Sequence, residues 1–177
     1  MRLFTHTIFS WGVGLLLFHI IEVRFDPLLM LCYGQFLWAY MFAVSWLGNH
    51  MIDKLGHGIT PQGYPKRLPR THSVFTAPIW GVLATIIVIL AASQIPFFYV
   101  PFYWQGVVMI GVFVAYSHLF LDSLTMAGVY FTTNRIDLMH LSWDSPVGNG
   151  LAILAGFAAI YVVFFQPSLM HTLISMG

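Results

Sequence analysis

Charge is what this 177-residue sequence has least of: Asp, Glu, Lys and Arg make up 7% of it, seven bases against six acids, for a formal net charge of +1. A soluble domain carries about 25% charged residues, so this chain cannot cover a water-facing surface and a soluble globular fold is excluded. The near-balance of signs leaves no basic footprint for a nucleic-acid partner, and none is expected. Cysteine is almost missing. The single Cys32 has no partner for an internal disulfide, leaves the redox compartment open, and reads as a small apolar filler within a helix. Repeats, low-complexity tracts and long linkers are absent too, so residues 1–177 read as one membrane domain.

Apolar residues are abundant: 59% of the chain is hydrophobic and 17% aromatic. A bilayer core about 30 Å thick needs roughly 20 apolar residues of helix. Stretches 3–21, 28–47, 74–92, 102–122 and 147–165 meet that length. The expected fold class is therefore all-α, a polytopic membrane protein with five transmembrane helices. The first stretch follows Arg2 as a signal peptide would, but no small-residue cleavage pattern follows and His6 and His19 interrupt it, so it reads as retained.

Lys and Arg in short loops mark the cytoplasmic side. With the N-terminus inside, Arg2, Lys54, Lys66, Arg67, Arg70 and Arg135 all fall inside and only Arg24 outside. The expected orientation is N-terminus cytoplasmic and C-terminus outside. The setting is a bacterial inner or archaeal plasma membrane, with a viral envelope left open. The long connections, 48–73 and 122–146, are both cytoplasmic, and long loops on one face of a bundle are where function is usually placed. The outer turns are short, and the aromatic one around Pro96 to Trp104 reads as an interfacial anchor or a partner surface.

Eight histidines outnumber the six acids, and ionisable groups at membrane depth are expensive enough to demand a role. Topology drawn from Lys and Arg alone brings His6, His50, Asp53, His57, His72, His118, Asp122, His140 and Asp144 to the cytoplasmic side. Only His19 and His171 belong to the other. That gathering points to a metal site. His118 and Asp122 are i and i+4, one turn apart on one helix face. The same face carries Gly111 and Ala115, small residues that admit a close neighbour, so it points into the bundle. An imidazole and a carboxylate so placed can clasp one divalent ion, or simply neutralise each other. His50, Asp53 and His57 share a face if 49–57 is helical. His72 lies just ahead of the third span, where Thr71 or Ser73 could instead be a helix cap. His140 and Asp144 repeat the i, i+4 spacing in a loop closed by Pro146. Arg67 and Arg70 are either positive-inside anchors or groups that hold an anionic substrate.

In order along the chain come His6, Asn49 to His57, Arg70 to Ser73, and the block from Ser117-His118 through Asp122-Ser123-Leu124-Thr125 to Gly128. This series resembles the YdjM-like family of membrane-bound metal-dependent hydrolases, and more closely an archaeal branch of it. That family is thought to be distantly similar to zinc-dependent phospholipase C and P1 nuclease. The resemblance implies a zinc site on Asp53, His72, His118 and Asp122. It also implies a second zinc on His6 with Asp122 as bridge, and a third site for which only His140 and Asp144 are at hand.

Three functions follow as expectations. As a hydrolase, the chain holds one or two zinc-like divalent ions at the headgroup plane. Asp53 or Asp122 then serves as ligand or base, and Arg70, Arg67 or Lys66 neutralises the phosphate of a lipid or lipid-linked phosphoester. As a structural protein, the same residues lock the helices of a homo-oligomer, a membrane-complex subunit or an envelope scaffold. A transporter fits least, because the second, third and fifth spans carry almost no ionisable residues at mid-membrane.

Overall fold

In the computed structural model, which describes residues 1–25, 36–59, 61, 65–95 and 104–165, the apolar runs become helices. In chain order these are α1 (Leu3–Phe25), α2 (Leu37–Gly56), a one-turn α3 (Pro69–His72), α4 (Ala77–Ala92), α5 (Trp104–Ser123) and α6 (Pro146–Phe165). Proline enters the long ones only in the first turn, at Pro78 and Pro146, where the missing N–H has no intrahelical acceptor to lose. Two small antiparallel hairpins fill the long connections. Strands β1 (His57–Ile59) and β2 (Pro65–Arg67) pair with His57 opposite Arg67, and β3 (Val129–Phe131) and β4 (Asn134–Ile136) pair with Val129 opposite Ile136.

Among the described residues, three segments are long and apolar enough to cross a membrane: Leu3–Ile21, Trp104–Ser123 and Pro146–Phe165. Helix α4 is equally apolar but has 16 residues. It begins at Ala77 rather than 74 because residues 74–76 form a turn, with the Val74 N–H donating to the Tyr130 carbonyl at 3.0 Å. Residues 28–35 of the expected second span lie outside the described residues, as do Cys32 and His171. The described part of that span, α2, runs on past residue 47 to Gly56.

Helix α1 packs against α2, α5 and α6, and α4 packs against α5 and α2. Leu15, Phe18, Tyr40, Met41, Val44, Ile110 and Val114 form the buried centre. The closest approaches use glycine pairs: a Cβ on Gly12 would overlap the Gly156 carbonyl, and one on Gly81 the Gly111 carbonyl. Gly111 thus brings α4 against the α5 face that carries Ala115, His118 and Asp122, all buried. At this end of the bundle the start of α1, the end of α2, α3 and the end of α5 converge.

Candidate metal centre

Four side chains from three elements meet here. Helix α2 supplies Asp53, α3 supplies His72, and α5 supplies His118 and Asp122; one ligand atom from each lies within 4.8 Å of all the others. Their delivery follows from local structure. Ser45, Asn49 and Asp53 are spaced i, i+4, i+8 on α2 and so form one inward stripe, with Ser45 and Asn49 fully buried. Gly56 ends the helix where a Cβ would overlap Thr71 and His72, which lets α3 lie close enough to present its imidazole.

The atoms that converge are ones able to bind a metal ion. The Asn49 amide spends its protons on the Ser45 carbonyl (2.7 Å) and Ser10 Oγ (3.3 Å), so its Oδ1 faces His118 Nδ1 at 2.8 Å and takes that ring's proton. His118 Nε2 therefore carries a lone pair, and it lies 3.2 Å from Asp122 Oδ2 and 3.7 Å from Asp53 Oδ1. His72 Nδ1 pairs with Thr71 Oγ1 at 2.8 Å, a hydroxyl able to accept or donate, while Nε2 is 3.4 Å from Asp122 Oδ2 and 3.7 Å from Asp53 Oδ1. His72 Nε2, His118 Nε2 and Asp122 Oδ2 are buried and have no hydrogen-bond partner. Buried polar atoms without a partner are costly, and a cation between them would satisfy all three. Ligands about 2.0–2.1 Å from a tetrahedral ion stand about 3.3–3.4 Å apart, and these separations bracket that edge. Burial pushes the His72 imidazole below its usual value against the pull of Asp53, keeping it in the neutral form that binds metal. The group could hold a metal ion.

Asp122 has a second set of neighbours. Its Oδ1 accepts from Arg67 Nη2 at 2.6 Å and lies 3.1 Å from His6 Nε2 and 3.5 Å from the Met1 amino nitrogen. The His6 ring stacks on that of His118 with centroids 4.1 Å apart. Arg67 is itself buried. Its Nη1 donates to Thr125 Oγ1 (3.0 Å) and the Gly128 carbonyl (2.9 Å), tying β2 to the loop after α5. A cavity of about 310 Å³ opens beside the group, lined by Met1, Asp53, His57, Arg67, Ala127 and Trp143. Asp53, 17% exposed, is the one member of the four that this cavity reaches.

Other candidate residues are placed elsewhere. His50 does not join the group: one residue off the inward stripe, it stacks on Trp46 at 5.6 Å. His57 leaves the helix for β1, so it shares no helix face with His50 and Asp53; its ring is 5.5 Å from that of His72, on the cavity wall, and burial pushes it too below its usual value. His140 (φ 54°) and Asp144 lie exposed in irregular chain, so their i, i+4 spacing puts them on no common face; Asp144 accepts instead from Ser142 Oγ. Arg70 is exposed, its Nε donating to the Leu55 carbonyl at 3.0 Å, and the basic side chain on the cavity wall is Arg67. Asn49 and Thr71 were not foreseen as orienting groups. The signal for Asn49 was its position one turn before Asp53 in an otherwise apolar helix.

Such an arrangement, apolar spanning-length helices with a buried His/Asp cluster at one end, defines a helical membrane-type protein with a candidate metal centre. Comparison with known proteins places it further: the chain belongs to the DUF1286 family of proteins of unknown function, whose family model matches residues 1–121. That match includes Asp53, His72 and His118 and stops one residue before Asp122. No curated protein and no solved structure matches the chain.

Proposed function

We propose that this protein is a multi-pass membrane hydrolase that uses one bound divalent metal, zinc by the chemistry of its donors, to cleave a lipid or lipid-linked phosphoester. The observation that carries the reading is the convergence of His72 Nε2, His118 Nε2, Asp122 Oδ2 and Asp53 Oδ1, the first three buried with no hydrogen-bond partner, beside a cavity walled by Arg67. Five spans with a cytoplasmic N-terminus set this end at the inner headgroup plane, in line with the loop charges. The ordered His and Asp motifs, which resemble those of the YdjM-like family, support the same class.

When bound, the ion supplies Lewis-acid chemistry, acidifying a water and drawing charge from phosphoryl oxygens. The chain's own residues do the rest. Asn49 holds His118 in the tautomer that frees Nε2, Thr71 fixes the His72 ring in place, and Arg67 binds Asp122 Oδ1 and so leaves Oδ2 turned inward. Arg67 also offers positive charge to an anionic group in the cavity, and Asp53, at the cavity edge, is placed to accept a proton from an attacking water. Trp143 and Met1 form the apolar wall.

A structural metal is the second reading, favoured by the fact that four protein ligands already complete a tetrahedral shell. Cobalt(II) substitution separates the two. An open position shows as a change in the visible cobalt bands on adding inorganic phosphate, together with turnover of a phosphoester such as bis(p-nitrophenyl) phosphate. Bands indifferent to phosphate, with no turnover, would replace the hydrolase by the structural reading, and a protein that binds no metal would end both.

A further inference from the structure

We propose that Arg67 is the second cation of this centre: the site takes a single metal ion on the Oδ2 side of Asp122, and a fixed guanidinium holds the Oδ1 side. The inference rests on the metal reading above and departs from the two-zinc arrangement that the family resemblance implies.

Three observations carry it. First, Asp122 Oδ1 is already taken: Arg67 Nη2 stands 2.6 Å from it, a charge-assisted distance. A metal bound to the same oxygen would lie within a few ångströms of a buried guanidinium that cannot give up its proton. Second, that guanidinium is not free to swing away. Nη1 is bonded to Thr125 Oγ1, the Gly128 carbonyl and, at 3.4 Å, the Asp122 carbonyl, while the Arg67 carbonyl accepts from Tyr130 Oη at 3.3 Å. Third, ligands are too few. Among the described residues, Asp53, His72, His118 and Asp122 form the only group of three or more His, Cys, Asp or Glu that could share an ion. On the Oδ1 side, His6 is the only such residue at hand. His6 Nε2 has no hydrogen-bond partner and, beside the Met1 amino nitrogen 3.5 Å from Oδ1, is the side-chain atom there that a second ion would recruit, so the test turns on it.

A phosphoryl group in the cavity would then meet the metal on one side and Arg67 on the other, a division of charge between one ion and one guanidinium. Zinc per chain, counted by native mass spectrometry on the full-length protein in detergent after loading with zinc and desalting, decides the matter. One ion is expected in wild type and in His6→Ala. Arg67→Met should release Oδ1 and admit a second ion, lost again in the Arg67→Met, His6→Ala double variant. Two ions in wild type, falling to one in His6→Ala, would overturn the inference and leave the metal reading standing. So would an Arg67→Met protein that folds but still holds one. Should Arg67→Met not fold, the wild-type and His6→Ala counts decide alone. No zinc in wild type would overturn the metal reading and this inference with it.

Discussion

Replacing Asn49 by Leu should cost the protein most of its metal affinity while leaving all four ligands in place. Asn49 is fully buried, and among the described residues its carbonyl oxygen is the group that holds the His118 Nδ1 proton. Outer partners of this kind are worth about 10–100-fold in metal affinity, or about 1.4–2.7 kcal/mol at 1.36 kcal/mol per tenfold. Leu fills a similar volume, so no large cavity adds to the effect, but the His118 N–H and the Ser10 hydroxyl lose their partner. A buried donor left unsatisfied costs about 1–3 kcal/mol, and at about 2–4 °C per kcal/mol for a chain of this size the melting temperature should fall by several degrees. Asn49→Asp separates the two effects. Its carboxylate still accepts from His118 Nδ1, so affinity should stay near wild type, while the two donations to Ser45 and Ser10 are gone and thermal stability drops. The assay is a zinc titration against a chromophoric chelator, run beside a thermal melt of the chelated protein. Leu and Asp variants with the same zinc affinity would refute the tautomer argument, and with it the claim that His118 presents Nε2 to a metal.

Three more outcomes are expected. Burial holds His72 and His57 below the ordinary value of 6.5, so below about pH 6.5 the unfolded chain takes up protons that the folded one refuses. The metal-free protein should keep its full stability above that pH and lose it steadily toward pH 5; a melting temperature equal at pH 7.5 and 5.5 would contradict the burial. Gly81→Ala drives a methyl into the Gly111 carbonyl, whereas a Cβ on Gly150 meets nothing within 4 Å. Overpacking of this kind costs about 1–3 kcal/mol, so Gly81→Ala should melt several degrees below Gly150→Ala, and equal melting would deny the close α4–α5 contact. His140→Ala and Asp144→Ala should leave zinc content unchanged, since both residues lie exposed and outside the ligand group; loss of zinc in either would return the second loop to the site.

Much of the helical framework was legible because apolar runs and proline positions are local signals. The Gly111, Ala115, His118, Asp122 face could be read as inward-facing from helical spacing alone, and it is buried against Gly81. Helix ends were less legible. Nothing in the hydropathy of 48–56 announces that α2 continues through it, because polar Asn49, His50, Asp53 and Lys54 break the apolar run there. The start of α4 depended on a strand-like contact between residues 74 and 130, which no local pattern encodes.

The candidate ligands were legible by type and the residues that position them were not, and one hairpin explains the difference. Strand β1 follows α2 directly, so the register that sets His57 opposite Arg67 places Arg67 relative to Asp53, four residues before His57. The Leu68 N–H then donates to the Gly56 carbonyl at 2.7 Å, which seats α3 and with it His72. Asp53, Arg67 and His72 thus reach one point through the same short turn. Its strands have three residues each, too few to show the alternation by which a strand is read. From sequence Arg67 read either as an anchoring charge or as a group that holds an anion, because nothing there separates it from Lys54, Lys66 and Arg70, which are exposed and outside the cavity. What sets Arg67 apart is the opposite carboxylate, 55 positions away in sequence and 2.6 Å away in space. A charge that must be buried to do its work becomes visible only with the partner that makes its burial affordable.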